Sequence, residues 1–149
     1  MKSWLFTWNP RMWAWDDPVN GYKEMIREVA AAGASYCKWT CGVTKAIQPG
    51  DRIFIIRLGE EPRGIIASGY ALTTVFEGTN WDTIKAAQGK RVNRVYIEID
   101  KILDPEDCIL QMDELYKISG NMHWTPQNSG ISIPDDVAKV LEDIWSKVG

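Results

Sequence analysis

Three strand-like segments follow one another between residues 52 and 102 with no long helix between them. They read RIFIIRL, IIASGYALTTVF and RVYIEIDKIL. The turn sequence Pro49-Gly50-Asp51 precedes the first, and EEPRG separates it from the second. Within the second segment, Ser68-Gly69 predicts a β-bulge. Successive strands without a βαβ rhythm indicate an α+β domain around a small, largely antiparallel or mixed barrel.

Two more strands and two helices are predicted around this run. ASYCKWTCG is short and β-prone and follows the first helix. SWLFTWN alternates side chains as a strand does, and Pro10 ends it. GYKEMIREVAAAG has the apolar spacing of a helix, with Asn20 as its N-cap and Gly33 as its stop. Pro134, at the first helical position, starts a C-terminal helix. We expect one curved sheet or barrel from strands near 3–9, 52–58, 64–76 and 93–102, and a helix at 135–147.

The length of 149 residues fits one domain, spanning 1–149, that is either a complete small protein or a module of a longer one. No apolar run approaches the ~20 residues of a membrane-spanning helix. The N-terminus lacks the charged-then-apolar pattern of a signal peptide. Three cysteines without framework spacing, beside the single histidine His123, predict reduced thiols and no metal site. We therefore expect a cytoplasmic protein that does not associate with membranes.

The charge is unevenly distributed along the chain. The net charge is −3, which by itself disfavours a nucleic-acid partner. Residues 1–103, however, carry 14 lysines and arginines against 11 aspartates and glutamates, whereas residues 104–149 carry 3 against 9. The distribution permits a mildly basic face opposite an acidic C-terminal third.

Motifs of catalysis are missing from the sequence. There is no G-x-x-x-x-G-K-[ST] phosphate loop and no G-x-S-x-G nucleophile elbow. The acidic pairs in GEEP and PDDV have the positions of turn and helix-cap residues. The sequence predicts a binding protein, not an enzyme, with no cofactor.

Tryptophan is the most informative residue type in this chain. Four of the eight tryptophans lie between residues 4 and 15. Trp4 and Trp145 fall on apolar stripes and are predicted to be core residues, whereas Trp39, Trp81 and Trp124 lie in polar, loop-like stretches. A loop tryptophan often only caps an apolar edge. Several of them near amide side chains, however, suit a flat heterocycle that stacks on rings and hydrogen-bonds at its edge. The nearby polar residues are Asn9, Thr40, Asn80 and Asn128.

Longer motifs resemble a known family over nearly the whole chain. WLFTWNPRMWAWDD, PGDRIFIIRLGEEPRGIIASGYA, VYIEID and HWTPQNSGISIP are similar to an EVE domain of the PUA-like superfamily. The variant they resemble most is the one at the N-terminus of modification-dependent restriction endonucleases. This resemblance implies a small twisted β-barrel with flanking helices and a pocket for one flipped modified base. It also implies a fused or associated nuclease.

EVE domains are similar to YTH domains, so the residues of the YTH aromatic cage can be assigned to positions of this sequence. The stretch that lines the YTH pocket at the end of the first strand corresponds to Thr7-Trp8-Asn9, although Trp8 and Pro10 depart from the YTH pattern. The first cage tryptophan corresponds to Trp39, before the hydroxyl residue Thr40, and the second to Trp81. The base can be methylcytosine, hydroxymethylcytosine or methyladenine. The predicted base-binding residues are Trp8, Asn9, Trp13, Trp39, Thr40, Trp81 and Asn128.

A basic cluster around the loop of Trp81 is predicted to contact phosphates. It consists of Lys85, Lys90, Arg91 and Arg94. The alternative interpretation of this cluster is a solvated charged loop.

Two other functions remain open at this point. One is an RNA-binding module that recognises a modified nucleotide, although DNA is the favoured partner. The other is a small amidohydrolase on modified nucleosides, for which Lys45 and Glu98 are the pair of candidate catalytic residues. Among the first tryptophans, Trp8 or Trp13 is expected to shape the pocket and Trp15 to support the loop.

Overall fold

The computed structural model describes residues 1–16, 21–79 and 83–149. Within them the elements are β1 (Ser3–Trp8), α1 (Tyr22–Ala32), β2 (Ser35–Thr40), β3 (Arg52–Arg57), β4 (Gly64–Ala71), β5 (Phe76–Thr79), α2 (Thr83–Ala87), β6 (Arg91–Ile102), β7 (Leu110–Gln111), α3 (Met112–Ile118), β8 (Ile131–Ile133) and α4 (Asp135–Trp145). The predicted α+β class, the predicted strands and the C-terminal helix are confirmed.

The strands form one twisted mixed sheet in the order β2-β6-β4-β3-β1-β8, with β5 beside β6 and β7 beside β4. The pair β1–β3 is parallel, and the remaining pairs are antiparallel. Over the described residues β2 and β8 end the sheet without pairing with each other, so the predicted barrel is not closed.

The long β-segment predicted at 64–76 is interrupted. Its β-bulge between Ser68 and Gly69 is confirmed, because the pairing of β4 with β6 shifts register there. The strand stops at Ala71, since the Thr73 hydroxyl accepts the Tyr96 N–H at 3.3 Å and breaks the backbone ladder. The chain then resumes as β5 beside the first residues of β6.

The helices begin and end close to the predicted residues, and each N-cap differs by one position. The N-cap of α1 is Gly21, not Asn20, which lies outside the described residues. Gly33 ends α1 in the left-handed region with φ of 82°, and its N–H donates to the Val29 carbonyl, as predicted. Pro134 is the N-cap of α4, one position before the predicted one.

The two faces of the sheet bury two separate apolar clusters. Trp4, Phe6 and Trp8 point from β1 into the first, against α1, whereas Leu5 points into the second with Trp145 of α4. This alternation follows from the two-residue period of a strand, and it confirms Trp4 and Trp145 as core residues.

Trp124 lies in a loop, as predicted, and belongs to the second cluster, so it packs an apolar edge and does not contact a ligand in the cavity. Its side chain is 1% exposed, and its Nε1 donates to the Ser119 carbonyl at 2.9 Å. The sequence around Trp124 is polar, but its side chain packs inward from a segment without regular secondary structure.

The turn before β3 is fixed to β1 by Asp51. Its carboxylate accepts the Trp4 indole N–H at 2.9 Å and the backbone N–H groups of Gln48 and Lys2 at 3.0 and 3.1 Å. Burial raises the pKa of Asp51, but these hydrogen bonds outweigh burial and hold the pKa below its ordinary value. Because the pKa of Asp51 is lower in the folded than in the unfolded protein, its ionised carboxylate stabilises the fold at pH values above the unfolded-state pKa. This stabilisation is lost as the pH falls through the folded-state pKa.

A second polar network joins the sheet to α4. The Arg52 side chain is 5% exposed and donates to Asp100 at 2.9 Å, to the Gly69 carbonyl at 3.2 Å and to Glu142. Asp100 also accepts the Ser68 hydroxyl at 2.6 Å. Burial lowers the pKa of Arg52, but the Glu142 hydrogen bond and the charges of both carboxylates raise it above its ordinary value.

No helix in the described part of the chain is long and apolar enough to cross a membrane.

Candidate functional site

A cavity of about 910 Å³ lies where β1 and β2 end. It is built by five segments that are distant in sequence: the turn after β1, the end of β2, the turn after β3, the first residues of β6 and the loop before β8. The described residues that line it are Thr7, Trp8, Asn9, Met12, Trp13, Lys38, Trp39, Thr40, Gly42, Leu58, Gly59, Arg63, Arg94, Thr125, Pro126, Gln127, Asn128 and Ser129.

Aromatic rings form one side of this cavity. Trp13 and Trp39 have ring centroids 5.4 Å apart, and Trp15 lies 4.7 Å from Trp39 and 5.7 Å from Trp13. Trp8 packs edge-on against Trp15 at 5.3 Å. Rings at these distances contact one another, so a base cannot enter between any two of these partners. Trp8, Trp13 and Trp39 therefore act as one continuous aromatic wall.

Trp39 differs from its predicted setting. It lies on β2, as the β-prone stretch ASYCKWTCG predicts, but only 4% of it is exposed, whereas an exposed loop position was expected. Its partner in the ladder is the buried Val95, which places both on the inner face of the sheet. Its Nε1 donates to the Thr7 carbonyl at 3.1 Å, which orients the ring at the base of the cavity.

The structure separates the roles of the other N-terminal tryptophans. Trp8 is 3% exposed, and its Nε1 donates to the Trp13 carbonyl at 2.7 Å, which holds the turn after β1 in place. Trp13 is 48% exposed and supplies most of the accessible aromatic surface. Trp15 is 1% exposed and packs behind them with φ of 52°, outside the cavity lining.

Asn9 begins the tight turn that presents Trp13. Its Oδ1 accepts the Arg11 N–H at 3.0 Å, and its carbonyl accepts the Trp13 N–H at 3.1 Å. A Cβ on Gly59, whose φ is 84°, would approach the Asn9 Oδ1 to 2.1 Å. Only glycine lets the turn after β3 pack so closely on this amide. Any ligand contact of Asn9 is expected to use the two N–H donors of Nδ2.

The loop before β8 forms another part of the lining. The Ser129 Oγ accepts the Thr7 N–H at 3.1 Å, and a Cβ on Gly42 would approach the Ser129 carbonyl to 2.3 Å. This contact brings Asn128 to the cavity beside the end of β2. The predicted residues Asn9, Thr40 and Asn128 thus supply polar atoms around the aromatic wall.

The charged residues in the described lining of the cavity are all positive. Lys38, Arg63 and Arg94 line it, and the described lining residues include no aspartate or glutamate. In a chain of net charge −3, such a local excess favours an anionic ligand.

The predicted phosphate-contact cluster is divided by the structure. Arg94 lines the cavity, but Lys85, Lys90 and Arg91 do not. Arg91 lies on the opposite face of β6 from Arg94, because side chains alternate along a strand. The Arg91 Nε lies 3.9 Å from a carboxylate oxygen of Glu77. Lys85 and Lys90 are exposed near the β5–β6 connection, where a phosphate contact stays a prediction.

The remaining candidate residues lie either outside the described residues or outside the cavity lining. Trp81 and Asn80 lie outside the described residues. Neither Lys45 nor Glu98, the candidate catalytic pair, lines the cavity. Glu98 instead pairs with Tyr36 and Tyr70 in the middle of the sheet.

The three cysteines are free. Burial raises the pKa of the Cys37 thiol to about 12 and that of Cys41 to about 11. Both are therefore thiols near neutral pH, which makes them weak nucleophiles. The described residues contain no group of three or more histidine, cysteine, aspartate or glutamate side chains suited to a metal ion.

Several lining residues were missed from sequence. The sequence did not indicate a site role for Lys38, although it adjoins Trp39; Leu58 was assigned to a strand, Arg63 to a turn and Gly59 to neither. The motif PGDR-x5-LG-x-EPRGI, which carried part of the family resemblance, contains the last three. It was the available signal for that side of the cavity.

No protein-family model matches the sequence, and no curated protein matches it. Three solved structures are similar over nearly their whole lengths. A hypothetical protein from Leishmania major has 12% identity and a TM-score of 0.60, covering 99% of this chain and 96% of that one. Human THYN1, in complex with DNA containing 5-methylcytosine, has 12% identity and a TM-score of 0.57, covering 99% of both. ASCH from Zymomonas mobilis has 13% identity and a TM-score of 0.54, covering 99% and 96%.

At these identities the similarity concerns the fold alone. The chain has the α+β PUA-like fold that it shares with the ASCH and THYN1 structures. The narrower resemblance to EVE domains of restriction endonucleases stays a prediction.

Proposed function

We propose that this protein is a non-catalytic reader of a modified base in nucleic acid, and that one base enters the cavity and stacks on Trp13 and Trp39. The observation that carries the proposal is the composition of the cavity. It combines an aromatic wall, amide side chains and three cations without a carboxylate among the described lining residues.

Each of these features matches one part of a nucleotide. The aromatic wall offers a surface for a base, Asn9 and Asn128 offer hydrogen bonds to its edge, and the cations suit its phosphates. A volume of about 910 Å³ falls within the ~300–1,000 Å³ of small-molecule sites. Moving a base out of a duplex costs a few kcal/mol, whereas stacking on an aromatic side chain contributes about 1–3 kcal/mol.

The similar fold of human THYN1, whose structure contains 5-methylcytosine DNA, supports DNA as the partner and 5-methylcytosine as the first base to test. Hydroxymethylcytosine, methyladenine and modified RNA are the other members of the test series. The resemblance to modification-dependent restriction endonucleases supports a fused or associated nuclease as the effector.

Catalysis is the less favoured function for this cavity. Lys45 and Glu98 lie away from it, and the buried thiols of Cys37 and Cys41 are not poised as nucleophiles. Recognition of a modified base needs only the stacking and hydrogen-bonding groups that are present.

The test compares DNA and RNA oligonucleotides with and without each modification, on the parent protein and on Trp13→Ala. We expect one modified oligonucleotide to bind more tightly than its unmodified counterpart, with no product released. Trp13→Ala should weaken that binding roughly 5- to 150-fold, the loss of one stacking contact. Because Trp13 is 48% exposed, the melting temperature should change little.

Tyr116→Ala is the matched control, since Tyr116 is a 47% exposed aromatic residue on α3, away from the cavity. Its affinity should equal that of the parent. Equal affinity for modified and unmodified strands throughout the series would contradict the proposed reader. Release of a deaminated or hydrolysed nucleoside would establish the enzymatic alternative.

A further inference from the structure

A part of the sheet that no described helix or loop covers adjoins the cavity. Directly opposed residues of neighbouring strands share a face, so Phe76, Arg94 and Thr40 form one row across β5, β6 and β2. Tyr96 and Lys38 form the next row along β6. Beyond them lies the pair of Tyr36 and Glu98. We call the surface formed by Tyr36, Lys38, Phe76, Arg94 and Tyr96 the β2–β6 face.

This face carries exposed aromatic rings in contact with a cation. Tyr36 is 59% exposed and Tyr96 is 43% exposed. Phe76 stacks on Tyr96 with centroids 5.4 Å apart and an interplanar angle of 29°. The Lys38 ammonium lies 6.0 Å from the centre of the Tyr96 ring. Two exposed tyrosines beside basic residues are unusual for a solvated sheet face, which favours polar side chains.

The rest of the same side of the sheet is covered. Arg52 on β3 points to this side, as its row with Tyr70, Glu98 and Tyr36 shows. The guanidinium of Arg52 is buried under Glu142 of α4. Helix α4 thus covers the sheet at β3, whereas on this side Tyr36, Lys38 and Tyr96 are exposed and Thr40 and Arg94 are partly buried.

The β2–β6 face is continuous with the cavity. Lys38 and Arg94 belong to both surfaces, and Thr40 lies between them at the cavity edge. A strand whose base occupies the cavity therefore leaves it past two cations and onto the tyrosines. Glu98 marks the far end of this path, about 14 Å along β6 from Arg94 at ~3.4 Å per residue.

We propose that the β2–β6 face is a stacking platform for unpaired nucleotides next to the base in the cavity, and that the protein binds its modified base in single-stranded nucleic acid in preference to a duplex. This inference rests on the proposed function and names the form of its substrate. Aromatic rings on an open sheet, interleaved with cations, stack bases whose faces are free. Duplex bases already stack on their neighbours and offer only their edges in the grooves.

The test uses four probes: single-stranded DNA with one 5-methylcytosine, the same strand without the modification, the modified strand as a duplex, and the nucleoside 5-methyl-2′-deoxycytidine. The variants are Tyr96→Ala and Tyr36→Ala. We expect the parent to bind the single strand more tightly than the duplex. Each variant should weaken single-strand binding roughly 5- to 150-fold and leave nucleoside binding unchanged.

Tyr96→Phe keeps the ring and should retain the parent affinity, and Tyr116→Ala controls for the loss of an exposed tyrosine elsewhere. Parent-like single-strand affinity in both alanine variants, with nucleoside binding intact, would overturn the platform and leave the proposed function standing. A parent dimer that Tyr96→Ala dissociates would also overturn it, because the face would then bind a second copy of the chain.

A different result would overturn the reader and leave the platform standing. Tyrosine variants that weaken modified and unmodified single strands equally, together with no preference of the parent for the modification, would support the platform and overturn the reader. Absence of any binding to these probes, also when each other modification of the test series replaces 5-methylcytosine, would overturn both.

Discussion

Trp39→Ala is expected to lower the free energy of unfolding by about 3–5 kcal/mol, the usual cost of removing a buried tryptophan. Trp39 is 4% exposed, packs on Trp13 and Trp15, and donates its indole N–H to the Thr7 carbonyl. Its loss opens a void between β1 and β2 at the base of the cavity. Chemical denaturation of the parent and the variant measures the effect.

Trp39→Phe separates packing from the hydrogen bond, because it keeps an aromatic ring but removes Nε1. It should cost less than the alanine variant. Trp13→Ala is the matched comparison within the same cluster, since Trp13 is half exposed and should lose affinity with little stability. If Trp39→Ala unfolded at the parent's denaturant midpoint, Trp39 would not be part of the core.

Replacing both carboxylates that pair with Arg52 is expected to destabilise the fold by about 3–5 kcal/mol. In Asp100→Ala with Glu142→Ala, the Arg52 guanidinium stays 5% exposed but loses both counter-charges. A buried cation without a partner carries its full desolvation cost. Denaturant titrations at neutral pH provide the measurement.

Arg52→Met should cost less than this double substitution. The two acids that it leaves behind are 36% and 41% exposed, so water can solvate them. The diagnostic result is a larger loss of stability in the double carboxylate variant than in Arg52→Met. An Arg52→Met variant less stable than the double carboxylate variant would show that the network does not act through burial of the arginine.

How far the sequence determines the fold is clearest along β4 and β1. The bulge at Ser68-Gly69 could be predicted because a glycine inside a strand pattern indicates a bulge or a close approach of another backbone. In the structure, a Cβ on Gly69 would approach the Glu98 carbonyl to 2.2 Å, which restricts the position to glycine. The faces of β1 followed from strict alternation. The break after Ala71 could not be predicted, since it depends on a hydrogen bond between Thr73 and Tyr96.

The candidate site was predictable only where local sequence determines it. The stretch around Trp39 is β-prone, but Trp39 was interpreted as exposed because the stretch is polar. Its burial depends on the pairing of β2 with Val95 on β6. Arg63 and Gly59 reach the cavity through the parallel pairing of β1 with β3, which joins segments 49 residues apart. Such long-range register has no signal in a single sequence.

The indole N–H groups of the eight tryptophans allow the most direct test of whether a base enters this cavity. In protein labelled with nitrogen-15, each indole gives one NMR signal that single Trp→Phe variants can assign. Titration with the preferred modified oligonucleotide should shift the signals of Trp8, Trp13 and Trp39. The signals of Trp124 and Trp145, buried in the other cluster, should not move. Binding that leaves the three cavity signals unchanged would contradict base entry at this site.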